Sequence, residues 1–267
     1  MLFRWFEHKQ VYHPGRLVSP DAAEMEQLQP WEDIYFKTTD NVRLNGWFFP
    51  AKTDSPRAKF VILYCHGNGG NISHRLDVYH AFRETGVAVF AFDYRGYGRS
   101  HGRPGEAGTY LDAQAACAWL REKGFAPDNI IAYGESLGGG IASELCVRET
   151  TGGLILQSTF TSIPDIGAEI YPWLPVRLLA SIRYDTLSRL PKLKIPVLVM
   201  HSREDGLIGY RHSERNFAAA NEPKLFVEIR GDHNDPLYDQ RGFMEGIEKF
   251  LKLLESRDQK TTGQVEL

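Results

Sequence analysis

The stretch Ile130-Ile131-Ala132-Tyr133-Gly134-Glu135-Ser136-Leu137-Gly138-Gly139-Gly140 constrains this chain more than any other. An apolar run of strand character meets Gly-x-Ser-x-Gly, and a small-residue helical pattern (Gly140, Ala142, Leu145, Val147) follows at once. The five-residue motif alone recurs by chance, but a strand before it and a helix after it are the context that a nucleophile elbow requires. Such a turn holds its serine in a strained conformation and projects the hydroxyl off the end of a sheet. Gly134 and Gly138 omit side chains that would strike the neighbouring strand or helix. Leu137 then offers its N–H at the positive end of a helix, where an oxyanion can be stabilised. The rest of the chain has to build the sheet behind Ser136.

From Phe60 onward the sequence alternates β-rich apolar runs with amphipathic segments. Strands are predicted at Phe60–Tyr64, Val87–Phe92, Ile130–Tyr133, Gly153–Gln157, Val197–His201 and Leu225–Ile229. Helices are predicted at about 73–84 and 109–123, after Ser136, after Arg211 and from about Gly242. This grammar implies a mostly parallel sheet covered by helices on both faces. Before it, Ile34–Lys37 and Val42–Phe49, joined through Thr39-Asp40-Asn41, read as an antiparallel hairpin, giving an expected eight-stranded sheet. Residues 1–30 are expected to be irregular, 31–256 to form a single α/β domain, and 257–267 to be a polar tail. The interval of about 40 residues between Gln157 and Val197 exceeds an ordinary connection. A small helical cap at about 159–192 is expected there, over the carboxyl edge of the sheet where ligands bind. Tyr171, Trp173 and Tyr184 are its candidate pocket residues, with packing filler as the alternative.

A serine hydroxyl needs a base, and the base needs an orienting carboxylate. In sheets with an elbow of this kind they follow in the order serine, acid, histidine, on loops after later strands. Asp205 follows the Val197–His201 strand, with Glu204 as its rival nearer the strand end, and His233 follows the Leu225–Ile229 strand. His66 precedes Ser136 and is in the wrong order. His74, His80, His101 and His212 lack a following carboxylate of the right kind, and His201 suits a structural hydrogen bond. The glycine-rich loop Cys65-His66-Gly67-Asn68-Gly69-Gly70-Asn71 suits a second oxyanion donor, assigned to the Asn68 N–H with Gly69 as rival. No Gly-Lys-Ser/Thr follows it, so it is unlike a phosphate loop.

His66–Asn71, Phe92-Asp93-Tyr94-Arg95-Gly96-Tyr97-Gly98-Arg99-Ser100, Gly134–Gly139, Ser158–Ser162 and Gly231–Asp235 together resemble the α/β-hydrolase superfamily. More narrowly, they resemble its branch of serine-aminopeptidase-like hydrolases and protein depalmitoylases. The resemblance runs from about Trp31 to Leu254. Position by position it implies Ser136, Asp205 and His233 as a triad, and Asn68 and Leu137 as oxyanion donors. It also implies that Asp93 and Arg95 belong to a structural loop. Ser202 stands where the branch usually has Gly, and the N-terminal membrane helix that many relatives carry is not expected in residues 1–30.

The expected activity is that of a serine hydrolase of carboxylic esters or thioesters, with no metal or cofactor. A peptidase or amidase is the alternative, and a non-catalytic scaffold that binds a ligand or partner is a second. The net charge of −3 offers no basic field for nucleic acid. Three cysteines (Cys65, Cys117, Cys146) in apolar contexts suit a reducing compartment. No run approaches the ~18 apolar residues that span a bilayer. The expected location is therefore the cytoplasm. Residues 1–6, where aromatic and basic residues alternate, either pack on the domain or make weak peripheral contact with a membrane.

Overall fold

Continuous apolar strands need cover on both faces, and the central strands here receive it. A computed structural model describes the backbone of residues 2–263 and the side chains of residues 3–257. Its strands are β1 (His13–Pro14), β2 (Glu32–Lys37), β3 (Arg43–Phe49), β4 (Val61–Cys65) and β5 (Gly69–Gly70). They continue with β6 (Ala88–Phe92), β7 (Ile130–Glu135), β8 (Gly153–Gln157), β9 (Val197–Ser202) and β10 (Lys224–Ile229). Eight of them form one sheet in the order β10-β9-β8-β7-β4-β6-β3-β2. All its pairings are parallel except β2 with β3 and β3 with β6, so the expected hairpin is the antiparallel margin. This is the α/β-hydrolase fold.

Alternation along each strand divides the core. Val61, Leu63 and Cys65 of β4 face one apolar cluster, with Ala113, Ala116 and Leu120 of α4 (Glu106–Glu122) and Ile141 and Leu145 of α5 (Leu137–Arg148). Ile62 and Tyr64 face the other, with Tyr79 and Phe82 of α3 (Leu76–Glu84) and Phe243, Ile247 and Phe250 of α10 (Gln240–Gly263). Burying one such side chain fully contributes about 1.5–3 kcal/mol. A sheet sealed on both sides is therefore a rigid platform for groups at its carboxyl edge.

The cap between β8 and β9 contains three short α-helices, α6 (Ile163–Ile170), α7 (Val176–Leu179) and α8 (Thr186–Arg189), the last running into a 3-10 turn at Leu190–Lys192. Ser162 caps α6, its hydroxyl accepting from the Asp165 N–H. The helix α9 (Arg211–Ala219) then covers β9.

Two expectations about the chain ends need correction. Residues 1–30 are not irregular, because they contain α1 (Leu2–Val11), β1 and α2 (Ala22–Gln27). Phe3, Phe6, Glu7, Gln10 and Val11 recur at helical spacing, and Pro14 and Gly15 stop the pattern. The charged residues between them mask this period in so short a segment. β1 pairs in parallel with β5, joining the N-terminal segment to the glycine-rich loop. At the other end α10 runs on to Gly263, past the expected boundary at 256, and residues 264–267 lie outside the described residues.

Candidate active site

Ser136 stands between the end of β7 and the start of α5 with φ 51° and ψ −114°, a left-handed backbone that a side chain adopts only under constraint. The constraint comes from close packing. A Cβ on Gly138 would sit 1.9 Å from the carbonyl oxygen of Cys65, and one on Gly134 would sit 2.4 Å from the Cα of Gly139. Both glycines let helix and strand meet at a distance that no larger residue permits.

The three residues picked for the triad come together. Ser136 Oγ lies 3.0 Å from His233 Nε2, and His233 Nδ1 lies 2.8 Å from Asp205 Oδ2. All three are nearly buried. The other oxygen of Asp205 accepts from the backbone N–H groups of Leu207 (2.9 Å) and Ile208 (2.8 Å), which fixes the carboxylate plane. Glu204, the rival acid, turns elsewhere and accepts from the Gly231 N–H.

A second histidine, unassigned to the site by sequence reasoning, touches the same carboxylate. His201 Nε2 lies 3.1 Å from Asp205 Oδ2 and 2.9 Å from the carbonyl of Ile208, while its Nδ1 meets the Ser213 hydroxyl. The expected structural hydrogen bonds of His201 are present, and one of them serves Asp205. Burial pushes the Asp205 carboxyl up, but hydrogen bonds from His201 and His233 outweigh it and hold the group well below the usual carboxylate range. Asp205 is thus ionised wherever His233 needs a partner.

Asn68 and Leu137 line one cavity with Ser136. As the first residue of α5, Leu137 has an N–H with no acceptor inside the helix. The Asn68 carbonyl accepts from the His13 N–H (3.1 Å) and the Tyr97 hydroxyl (2.9 Å), and the carbonyl of His66 accepts from the Tyr94 hydroxyl. The loop is therefore pinned from its outer side by the N-terminal segment. Asp93 and Arg95 sit in the scaffold as expected. Asp93 accepts from the Ile72 N–H, and Arg95 binds Asp112 and Asp40.

The cavity measures about 530 Å³ and is mostly apolar, with Phe160, Ile163, Ile166, Leu174 and Val176 from the cap region. A second wall is α1, through Phe3, Phe6, Glu7, Gln10 and Val11, and Leu207, Ile208 and Asn234 close the side next to the triad loops. Glu7 is clasped to the cap exit, taking the N–H groups of Ser181 (2.8 Å) and Ile182 (2.9 Å) and the Ser181 hydroxyl (2.6 Å). Of the three predicted pocket aromatics only Tyr171 lines the cavity, bonded to Gln10 and edge-on to Phe6. Trp173 is 78% exposed and outside it. Tyr184 is fully buried, its hydroxyl shared between Tyr12 (2.9 Å) and Thr109 (2.7 Å), so it is a packing residue. Aromatic content made all three candidates, but side-chain direction separates them.

For residues 1–6, Phe3 and Phe6 face the cavity and Trp5 faces outward beneath Lys9, whereas Met1 lies outside the described residues. Among the described residues no helix is long and apolar enough to cross a membrane, and no cluster of three or more His, Cys, Asp or Glu could hold a metal ion. The three cysteines are free, and burial raises all three thiols above their ordinary range.

The fold and the Ser–His–Asp geometry define the class, and comparison with known proteins agrees. A family model described as serine aminopeptidase, S33, matches residues 56–185. The Arabidopsis thaliana α/β-hydrolase domain-containing protein WAV2 is 31% identical over 257 residues, covering 86% of this chain and 82% of that protein. The Mycobacterium tuberculosis protein Rv2307c is 38% identical over 255 residues, covering 94% and 89%. Among solved structures, the Pyrococcus furiosus esterase Pf2001 superposes with a TM-score of 0.73 at 20% identity, covering 92% of this chain and 98% of that one. Est1E of Butyrivibrio proteoclasticus, solved with ferulic acid bound, gives 0.68 at 21%, covering 82% and 99%. The chain belongs to the α/β-hydrolase family.

Proposed function

We propose that this protein hydrolyses carboxylic esters or thioesters through an acyl-enzyme on Ser136. The observation that carries the reading is the unbroken hydrogen-bonded chain from Ser136 through His233 to Asp205, opening onto an apolar cavity. His233 Nε2 takes the serine proton as Oγ attacks the acyl carbon. Asp205 holds the ring with Nδ1–H directed at itself and stabilises the imidazolium. The N–H groups of Leu137 and Asn68 receive the oxyanion, and losing one such donor typically costs about 100- to 1000-fold in rate. His233 then protonates the leaving group, and water, activated in the same way, releases the acid.

The acyl chain occupies the cavity between the cap and α1. An amidase of the aminopeptidase type is the second reading, favoured by the description of the matching family model. It needs an anchor for a substrate ammonium group. Among the described residues the only acid lining this cavity is Glu7, whose oxygens are already committed to Ser181 and Ile182. Esters are therefore preferred over amino-terminal peptides. The free thiols suit a reducing compartment such as the cytoplasm. Hydrolysis of p-nitrophenyl esters of increasing chain length, alongside aminoacyl amides, tests the reading. Ester turnover lost in Ser136→Ala supports it, and turnover of the amides alone refutes it.

A further inference from the structure

Two cavities meet at Ser136, and their linings differ. The apolar one includes Leu137 but not His233. The second, about 320 Å³, includes His233 and Glu135 and runs between the Gly67–Gly70 loop and the start of α3, with His74 and Asp77 at its edge. A histidine that has taken the serine proton delivers it to the leaving group, so the leaving group must lie on the side that His233 lines. This orients the substrate across the nucleophile.

We propose that the second cavity is the leaving-group site and that it takes a hydrophilic, neutral or cationic group, such as a polyol or amino alcohol, and rejects anionic ones. The inference rests on the acyl-hydrolase reading above. Its basis is the charge that the cavity presents. Arg75 is the cation on the lining, and it is fully committed. Its Nε and Nη2 bind Glu135 at 2.9 and 3.1 Å, and its Nη1 binds the Asn71 carbonyl. Tyr64 adds a third bond to Glu135, so the pair forms a neutral, rigid floor. A Cβ on Gly67 would lie 2.8 Å from Glu135, and the bare backbone at this residue keeps the space open.

Asp77 is different. It is exposed, and among the described residues it accepts only from the Val78 N–H and has no ion pair. His74 Nδ1 accepts from the Asn71 N–H, which leaves Nε2–H to donate to a ligand. The Nε2–H of His74 and one uncompensated negative charge, that of Asp77, therefore face the leaving group. A unit charge on the lining of such a cavity, in a dielectric between those of protein and water, changes transition-state affinity by up to about tenfold.

The test compares octanoyl esters of choline, glycerol and glycerol 3-phosphate, with the acyl part constant, on the full chain. The choline and glycerol esters are expected to exceed the glycerophosphate ester at least tenfold in kcat/KM. Asp77→Asn should reduce the choline-to-glycerophosphate ratio about tenfold, and Asp77→Lys should reduce it further, in favour of the anion. Ratios taken within one preparation cancel any loss of folded protein. Equal or better turnover of the anionic ester by the native chain, or ratios indifferent to residue 77, overturns the inference while leaving the hydrolase reading intact. Failure to cleave any ester overturns both.

Discussion

Replacing Glu7 with alanine should unfasten one wall of the acyl cavity while leaving the triad in place. Glu7 is nearly buried and accepts three hydrogen bonds from Ser181 and Ile182 at the exit of the cap. At about 1 kcal/mol net per bond, their loss costs about 3 kcal/mol, borne by the docking of α1 rather than by the sheet. Because 1.4 kcal/mol is about a factor of ten, the undocked population of α1 should rise about 100-fold. Hydrogen exchange by mass spectrometry reads this directly, as faster exchange in peptides covering residues 3–11 with unchanged protection in β7 and β8. The functional consequence follows from the lining, since Phe3 and Phe6 close one side of the cavity. The chain-length optimum for ester hydrolysis should broaden toward longer acyl groups. Exchange in α1 indistinguishable from the native protein would refute the argument that Glu7 is the clasp.

Asp205→Asn should lower kcat by about four orders of magnitude, because an amide cannot hold His233 with Nδ1–H toward residue 205; steady-state ester kinetics measure it. Stability should carry a pH signature of Asp93. Burial raises its carboxyl to about 7, against an Ile72 N–H that lowers it, and its second oxygen has no hydrogen-bond partner among the described residues. The native state therefore binds the proton more tightly than the unfolded chain between about pH 4 and 7. This contribution is present in full below pH 4 and fades as pH rises through 7, for a total of about 4 kcal/mol. Asp93→Asn should flatten that slope, as urea midpoints at pH 5 and pH 8 would reveal.

Much of this was legible in the sequence, for reasons that differ between parts. The parallel strands were readable because burial on both faces demands unbroken apolar runs, as in Val61–Cys65. Ser136, Asp205 and His233 were readable because each follows a strand in an order that the sheet topology turns into proximity. His201 was seen as a hydrogen-bonding residue, but its second contact depends on the loop after β9 folding back so that Asp205 meets it four residues on. The role of α1 was hidden more deeply. Its helical period is short, and the clasp spans 174 residues of sequence between Glu7 and Ser181. Tyr184 was misread because an aromatic ring in a cap can face either ligand or core, and only its hydrogen bonds to Tyr12 and Thr109 decide which.

If Ser136 is a nucleophile activated by His233, it must react with an electrophilic acyl mimic. A fluorophosphonate probe, with the adduct located by peptide mass spectrometry, tests it most directly. One adduct per folded chain is expected, on the peptide containing Ser136, absent in Ser136→Ala and formed far more slowly in His233→Gln. A folded protein that resists the probe, or that reacts at another residue with Ser136 unmodified, would contradict it.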